Sequence, residues 1–189
     1  MVPPEFVKAV AYGEYRLELR EMVHLLKYER MSALARPLGT MLAQAIATLR
    51  PMAANDLLVV AVPLFPAKQR DRGYNQAVLL ADAAVAELKK TMPQWKLQAS
   101  HKMLRRKRDT ESQFGLTWKG RRRNLKGAFA VDDKASIIGR EILLIDDIYT
   151  TGSTARECSK ALLRAGAAKV WVATLSRAQR EMVDYWEPG

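Results

Sequence analysis

Two aspartates followed by a short loop rich in hydroxyl groups form the stretch of sequence best suited to chemistry. The apolar residues 142–145 precede Asp146 and Asp147, the acidic pair. A loop of small and hydroxyl-bearing residues, the hydroxyl loop, follows: Thr150, Thr151, Gly152, Ser153 and Thr154. A strand is predicted before the loop and a helix after it, so backbone N–H groups and hydroxyls converge where an anion could bind. The stretch therefore predicts a phosphate site at a strand–helix junction.

Adjacent carboxylates beside a phosphate site favour a phosphorylated sugar as the ligand. Carboxylates accept hydrogen bonds from vicinal hydroxyls, and Mg²⁺ could bridge other oxygens of the ligand. The loop has no lysine and lacks the G-x-x-x-x-G-K-[ST] spacing, which excludes a nucleoside-triphosphate P-loop. The plainer alternative is that Ser153 or Thr154 only caps the helix. A cap would account for one hydroxyl but not for the acidic pair.

Positive charge is concentrated in one segment of the chain. The 189 residues carry 31 Lys and Arg against 20 Asp and Glu, a formal net charge of +11. Residues 102–126, the basic segment, hold ten basic and two acidic residues. Its two densest clusters contain Arg105, Arg106 and Arg108, and Arg121, Arg122 and Arg123. Such a segment indicates a polyanion or a phosphorylated ligand, and the alternative is a solvated charged loop.

Apolar runs alternate with stretches of helical periodicity along the chain. Strands are predicted over residues 6–12, 56–64, 95–103, 129–131, 141–145 and 169–175. Helices are predicted over residues 15–29, 34–49, 75–90 and 153–165. This alternation predicts an α/β protein with a parallel sheet and helices on both faces. Ligands of such sheets bind beyond the carboxyl ends of the strands.

Composition excludes several other classes of protein. The single cysteine, Cys158, rules out an internal disulfide and a four-cysteine zinc site, so no zinc is expected. The longest apolar run, residues 57–65, is too short to cross a bilayer, and no signal peptide is recognisable at the N-terminus. We therefore expect a cytoplasmic protein without membrane insertion. His24 and His101 have no evident catalytic partner and are interpreted as structural or surface residues.

Five segments in order along the chain resemble one known family. The stretch 142–154 resembles the phosphoribosyl pyrophosphate (PRPP) motif of type I phosphoribosyltransferases. The other four are Leu25-Leu-Lys-Tyr28, Val62-Pro63 with Arg70-Asp-Arg-Gly-Tyr-Asn-Gln76, Arg108-Asp-Thr-Glu-Ser-Gln113, and Arg123-Asn-Leu-Lys-Gly-Ala-Phe129. Together they resemble the ComF/GntX family of phosphoribosyltransferase-like competence proteins, over residues 12–177. Members commonly begin with a four-cysteine zinc module, which this sequence does not contain.

The resemblance implies a type I phosphoribosyltransferase fold and a role for each motif. The acidic pair would hold the ribose hydroxyls, directly or through Mg²⁺, and the hydroxyl loop would bind the 5′-phosphate. Lys68, Arg70 and Arg72 would face the pyrophosphate, and the basic segment would be the mobile loop over the site. Residues 1–50 would form a small hood, residues 51–177 the core, and residues 178–189 a tail.

Two functions and a third, regulatory one are compatible with this resemblance. The first is a PRPP-dependent transferase with Mg²⁺ as its cofactor, whose acceptor the sequence does not name. The second is a single-stranded DNA-binding competence factor that works with a competence helicase, in which Tyr74 and Phe114 could stack on bases. The third is a PRPP sensor without turnover. The basic segment could serve either anion, so charge alone does not separate them.

Overall fold

The computed structural model describes residues 5–108 and 125–178 of the chain. Five strands form a parallel sheet in the order β1-β7-β6-β2-β3, and β4 and β5 form a separate antiparallel ribbon. The strands are β1 (Lys8–Glu14), β2 (Asp56–Ala61), β3 (Lys96–Ala99), β4 (Leu104–Arg106), β5 (Phe129–Val131), β6 (Glu141–Tyr149) and β7 (Lys169–Arg177). The helices are α1 (Leu17–Tyr28), α2 (Ala35–Ala47), α3 (Pro66–Arg72), α4 (Gln76–Thr91) and α5 (Ser153–Arg164), with 3₁₀ turns at Ser32–Leu34 and Ala135–Ile137.

Helices cover both faces of the sheet, as the sequence predicts. Side chains alternate along a strand, so Leu143 and Ile145 of β6 face one side and Ile142 and Leu144 the other. The first set packs with α1, α2 and α4, and the second with α5 and the β4–β5 ribbon. The central strands are nearly continuous apolar runs because both of their faces are buried.

Three segments differ from the prediction. Strand β6 continues to Tyr149 instead of stopping at Ile145, because its pairing with β7 extends to Tyr149 opposite Arg177. The loop predicted after β2 contains helix α3, which Pro66 begins and Gly73 ends. Of the strand predicted over 95–103, only residues 96–99, which are β3, join the sheet. The chain then turns and begins the ribbon at Leu104.

The predicted hood shares its core with the rest of the described chain. Strand β1 pairs with β7 at the sheet edge, and α2 packs against β7 and α4. Residues 25–28 form the last turn of α1. Of the predicted tail, residues 179–189 lie outside the described residues. Among the described residues, no helix combines the length and apolarity needed to cross a membrane.

Glu141, at the beginning of β6, links β6 to neighbouring segments at the edge of the sheet opposite the acidic pair. Its Oε2 accepts hydrogen bonds from Ala54 N–H at 3.0 Å and Trp171 Nε1 at 2.8 Å, and Lys169 Nζ lies 2.9 Å from Oε1. Burial would raise the pKa of Glu141, but these donors outweigh it and hold the pKa below its ordinary value of 4.5. The carboxylate therefore stabilises the fold only while it is ionised.

We predict that Glu141→Gln lowers the free energy of unfolding by about 1–3 kcal/mol at neutral pH. The folded-state pKa is depressed, so the advantage of wild type is complete above the ordinary value of 4.5 and is lost as pH falls through the folded-state pKa. Urea denaturation across pH measures this. Glu87→Gln, at an exposed pair with Lys90, should change stability by less than about 0.5 kcal/mol. An equal loss in both variants would contradict the role of Glu141.

Candidate phosphate-binding site

The acidic pair lies on the part of β6 that extends beyond the end of the neighbouring strand β2. Ala61, the last residue of β2, pairs with Ile145, so from Asp146 onward β6 is paired with β7 alone. One side of the strand is thereby open at the carboxyl edge of the sheet. This is the position where parallel sheets bind ligands.

Strand alternation sends the two carboxylates to opposite faces of the sheet. Asp146 is in phase with Leu144 and faces the side of α5, whereas Asp147 is in phase with Ile145 and faces α1. Asp146 Oδ1 accepts the N–H of Asp147, and Asp147 Oδ1 accepts the N–H of Ile148, both at 2.9 Å. Each carboxylate is thus oriented by the backbone immediately after it.

Lys27 of α1 is the cation beside Asp147. Its Nζ lies 2.6 Å from Asp147 Oδ2. Burial would lower the pKa of Lys27, but the Asp147 carboxylate outweighs it and the pKa is raised. Burial would likewise raise the pKa of Asp147, but Lys27 outweighs it and the pKa is lowered. This contact therefore keeps Asp147 ionised.

Asp146 has the opposite electrostatic environment. Burial raises its pKa well above the ordinary value of 3.8, and the neighbouring charge of Asp147 raises it further. The two adjacent carboxylates thus differ in their affinity for a proton, and Asp146 binds a proton more tightly than Asp147 does.

The hydroxyl loop joins β6 to the first turn of α5. Gly152 is the N-cap of this helix, with φ 72°, and it makes no side-chain cap. The alternative that Ser153 or Thr154 is the N-cap is wrong, because these are the first two residues of the helix. Instead, the Thr151 and Ser153 hydroxyls lie 2.9 Å apart. Backbone N–H groups of a first helical turn have no preceding carbonyl in the helix and can bind an anion.

Gly152 is required here by a neighbouring ring as well as by its backbone angle. A Cβ on Gly152 would overlap the Tyr149 hydroxyl and lie 2.7 Å from the ring carbon that bears it. Tyr149 is held in turn by the Arg177 guanidinium, 4.7 Å from its ring centroid, and by an edge contact with Phe6. The loop therefore lies directly against a fixed aromatic side chain.

A pocket opens between the acidic pair and α5. It brings together five of the predicted residues: Asp146, Thr150, Gly152, Ser153 and Thr154. Ile148, Tyr149, Ala155 and Thr174 complete its lining. Asp147 and Thr151 are not part of the lining. Thr174, which sequence reasoning missed, pairs with Asp146 across the β6–β7 ladder and so faces the same side.

The three basic residues predicted to face pyrophosphate lie on α3. Lys68 and Arg72 are four residues apart and share a helix face, and Arg70 is exposed. The Arg72 guanidinium donates to Gln76 Oε1 at 2.5 Å and lies 5.4 Å from the Tyr28 ring centroid. Its positive charge also helps to lower the pKa of Asp147. Of the three, Arg72 is the residue that the structure couples to the acidic pair.

The first described end of the basic segment contains β4, and the second lies just before β5, the strand that pairs with β4. Arg105 pairs with Asp132, Arg106 lies over the Phe129 ring, and Arg108 donates to the Lys126 carbonyl at 2.6 Å. The ribbon contacts α5, where Glu157 accepts the N–H of Gly127 at 3.2 Å. Arg121, Arg122 and Arg123 lie outside the described residues, as does Phe114. Both described ends of the segment thus lie on the side of the sheet that α5 covers, beside the helix that follows the hydroxyl loop.

The acidic pair does not by itself fit a resident Mg²⁺ ion. Both oxygens of Asp147 are engaged, one by a backbone N–H and one by Lys27. Within residues 5–108 and 125–178, no group of three His, Cys, Asp or Glu side chains could hold a metal. Mg²⁺ needs about six oxygen ligands in near-ideal octahedral geometry, and this donor set does not supply them.

The remaining residues singled out in the sequence have structural roles. Cys158 is fully buried behind the hydroxyl loop, and burial, with the charge of Asp146, raises the pKa of its thiol. His101 accepts the Ala61 N–H at Nδ1 and contacts Asp82 at Nε2, at 3.2 and 3.0 Å. The Tyr74 hydroxyl donates to the Leu26 carbonyl, so it anchors α1.

We predict that Gly152→Ala destabilises the protein more than Gly139→Ala does. Both glycines have a left-handed φ, but a Cβ at Gly139 meets no atom within 4 Å. Gly139→Ala should cost about 1 kcal/mol from backbone strain alone. Gly152→Ala should cost at least about 1 kcal/mol more, because the Tyr149 ring has to move. Urea denaturation of the two variants measures the difference, and equal losses would argue against the Tyr149 contact.

Curated relatives match nearly the whole chain. DNA utilization protein YhgH of Escherichia coli K12 is 34% identical over 177 residues, 93% of this chain and 74% of its own length. Competence protein F of Haemophilus influenzae is 32% identical over 179 residues, 93% of this chain and 75% of its own length. Competence protein ComFC of Streptococcus pneumoniae is 34% identical over 120 residues, 62% of this chain and 47% of its own length.

Solved structures similar to this chain include two phosphoribosyltransferases. A hypoxanthine-guanine phosphoribosyltransferase of Bacillus anthracis matches with a TM-score of 0.45 and 14% identity, covering 79% of this chain and 70% of its own. A hypoxanthine phosphoribosyltransferase of Staphylococcus aureus matches with a TM-score of 0.46 and 15% identity, covering 76% and 64%. No protein-family model matches the sequence. The extent and identity of the curated matches place the chain in the family of YhgH and competence protein F, the ComF/GntX family that its motifs indicate.

Proposed function

We propose that this protein binds PRPP, or a related sugar phosphate, at the carboxyl end of β6 and acts on it as a phosphoribosyltransferase. The observation that carries the proposal is the pocket in which Asp146 faces the first turn of α5 across the hydroxyl loop. A carboxyl group and an anion site one loop apart match a sugar that bears both hydroxyls and a phosphate. The cytoplasm is the compartment that we propose for this activity.

The 5′-phosphate occupies the hydroxyl loop in this proposal. Backbone N–H groups lie at the beginning of α5, where that of Ser153 donates to the Thr151 hydroxyl at 3.4 Å, and the Thr150 and Thr151 side chains add hydroxyl groups. Gly152 lets the backbone approach the phosphate closely. The loop lacks a cationic side chain, so it suits one phosphate group held by dipoles rather than a triphosphate.

The ribose hydroxyls then reach the acidic pair. Asp146 lines the pocket and contacts the sugar directly, while Asp147, on the other face, sets the charge of the pair. Pyrophosphate lies toward α3, where Lys68 and Arg72 share a face. Positive charge fixed in advance stabilises a leaving pyrophosphate as positive charge develops at the anomeric carbon. Positioning and charge stabilisation are then enough, without a covalent nucleophile.

Mg²⁺ belongs to the ligand in this proposal. Pyrophosphate oxygens bind Mg²⁺ well, and the ion usually keeps several waters and only one or two carboxylates from the protein. Asp146, rather than Asp147, has access to such an ion from the pocket. The chain itself supplies the acidic pair, the hydroxyl loop and the basic face of α3.

We predict that Asp146→Asn weakens PRPP binding by at least about tenfold, because it removes the carboxyl group that lines the pocket. Calorimetric titration with PRPP and Mg²⁺ measures the affinity. Asp56→Asn, an exposed residue paired with Arg140 at the far edge of the sheet, is the matched control and should bind like wild type. Unchanged affinity in Asp146→Asn would refute the site. Pyrophosphate release with candidate bases separates a transferase from a PRPP sensor without turnover.

A second function, the handling of single-stranded DNA with a competence helicase, is favoured by the basic segment and by the names of the relatives. YhgH is named a DNA utilization protein, and the other relatives are named competence proteins. The segment carries ten basic residues, and its described end presents the exposed Arg105 and Arg108 beside α5. We propose that a DNA strand follows this surface while the pocket takes the sugar phosphate.

We predict that single-stranded DNA binding falls steeply with salt. The logarithm of affinity should fall by about 0.7 per neutralised phosphate for each logarithmic unit of salt. Replacing Arg121, Arg122 and Arg123 with Ser should flatten this slope. Fluorescence anisotropy with a labelled oligonucleotide measures the slope, and the control combines Arg16→Ser, at the N-cap of α1, with Arg20→Ser on α1. Absence of binding at low salt would rule out the DNA function.

A further inference from the structure

Lys27 belongs to the Leu25-Leu-Lys-Tyr28 motif, for which the sequence indicates no role in the site, yet its ammonium makes a close contact with the acidic pair. The Lys27 Nζ to Asp147 Oδ2 distance is 2.6 Å, and the two side chains are 18% and 5% exposed. An ion pair this buried carries a large desolvation cost, and removing one partner strands the other charge. A buried ion pair of this kind does not serve solubility, so we looked for a function of Lys27 in the site.

The backbone that carries Lys27 is anchored on both sides. Tyr74 donates to the Leu26 carbonyl at 2.5 Å, and the Arg30 guanidinium donates to the Asp71 carbonyl at 3.0 Å. The Leu26 side chain is fully buried in the core. Lys27 thus projects from a fixed point at the end of α1, and its direction toward β6 does not depend on the pair itself.

The ammonium lies where a metal ligated by Asp147 would have to be. Mg²⁺ binds a carboxylate oxygen at about 2.0–2.1 Å, and Oδ2 already faces Lys27 at 2.6 Å. The other oxygen accepts the Ile148 N–H. A divalent ion at Asp147 would meet both steric overlap and the repulsion of a fixed positive charge.

We propose that Lys27 is a positioning residue that acts as the resident cation of the acidic pair, excluding divalent metal from Asp147 and setting the charge beside the Asp146 carboxyl group that contacts the sugar. The exclusion of metal stands on the ion pair alone. The role in sugar binding rests on the proposed function. A competing explanation is that Lys27 only tethers α1 to the sheet, in which case its removal changes stability but not the preference of the site for metal.

The first arm of the test uses Mn²⁺ alone, without any sugar phosphate. Free Mn²⁺ is measured by electron paramagnetic resonance during titration of wild type, Lys27→Met, Lys27→Arg and Asp147→Asn. Wild type, Lys27→Arg and Asp147→Asn should bind Mn²⁺ equally weakly. Lys27→Met should bind at least about tenfold more tightly, because an unpaired buried carboxylate is created. Adding Asp147→Asn to Lys27→Met should abolish the gain.

The second arm measures PRPP affinity by calorimetry with and without Mg²⁺. Lys27→Met should lose at least about tenfold in affinity without Mg²⁺ and recover part of it when Mg²⁺ is added. Lys27→Arg should stay close to wild type, because its charge remains. Lys90→Met, at an exposed pair with Glu87, is the control and should match wild type in both arms. Circular dichroism melting records the stability of each variant.

Each outcome has one meaning. Tight Mn²⁺ binding by wild type that Asp147→Asn abolishes would overturn the proposal without use of any Lys27 variant, so a folding failure of Lys27→Met leaves the proposal falsifiable. Unchanged Mn²⁺ affinity in a folded Lys27→Met would overturn it in favour of the tether. Failure of wild type to bind PRPP at any Mg²⁺ concentration would remove the proposed function, while the first arm would still decide whether metal is excluded.

Discussion

The pairing of β6 with β7 beyond the end of β2 is the constraint on which the site depends. Strand β2 stops at Ala61, whereas β6 and β7 continue together to Tyr149 and Arg177. This overhang creates an open edge, holds Asp146 beside Thr174, and delivers the chain to the hydroxyl loop at a fixed angle. A shorter β6 would leave the acidic pair in a loop, with no reason for its two side chains to diverge.

Because their side chains point to opposite faces of the sheet, the two aspartates have different electrostatic environments. A period of two along the strand sends Asp147 toward α1 and Asp146 toward α5. Asp147 meets an ammonium and stays ionised, whereas Asp146 is buried beside that charge and holds its proton more tightly. Two identical residues, adjacent in sequence, thus acquire opposite electrostatic character from the strand that carries them.

Much of this arrangement could be predicted from the sequence, and the failures have physical causes. The parallel sheet followed from continuous apolar runs, and the hydroxyl loop from its residue types. The apolar run ends at Ile145, so the sequence predicts an end of β6 that is four residues too early. Pairing with β7 overrode that local signal. With the longer strand, the alternation of Asp146 and Asp147 would have been predictable.

The roles of Lys27 and Thr174 could not be predicted from the sequence. Lys27 stands in the Leu25-Leu-Lys-Tyr28 motif, but only the packing of α1 on the sheet directs its side chain to β6. Thr174 faces the pocket because β7 pairs with β6, and a single sequence contains little information about such long-range contacts. Helix α3 was missed because its seven residues are mostly polar and begin with a proline.

The burial of Cys158 has a consequence for how the chain meets oxidants. The only thiol of the protein lies fully buried beneath the first turns of α5, and burial together with the nearby Asp146 charge suppresses its thiolate form. Oxidation and alkylation proceed through an accessible thiolate. Oxidation or alkylation of this cysteine therefore requires the α5 face to open, and the packing of α5 that shapes the hydroxyl loop also shields the thiol from redox chemistry.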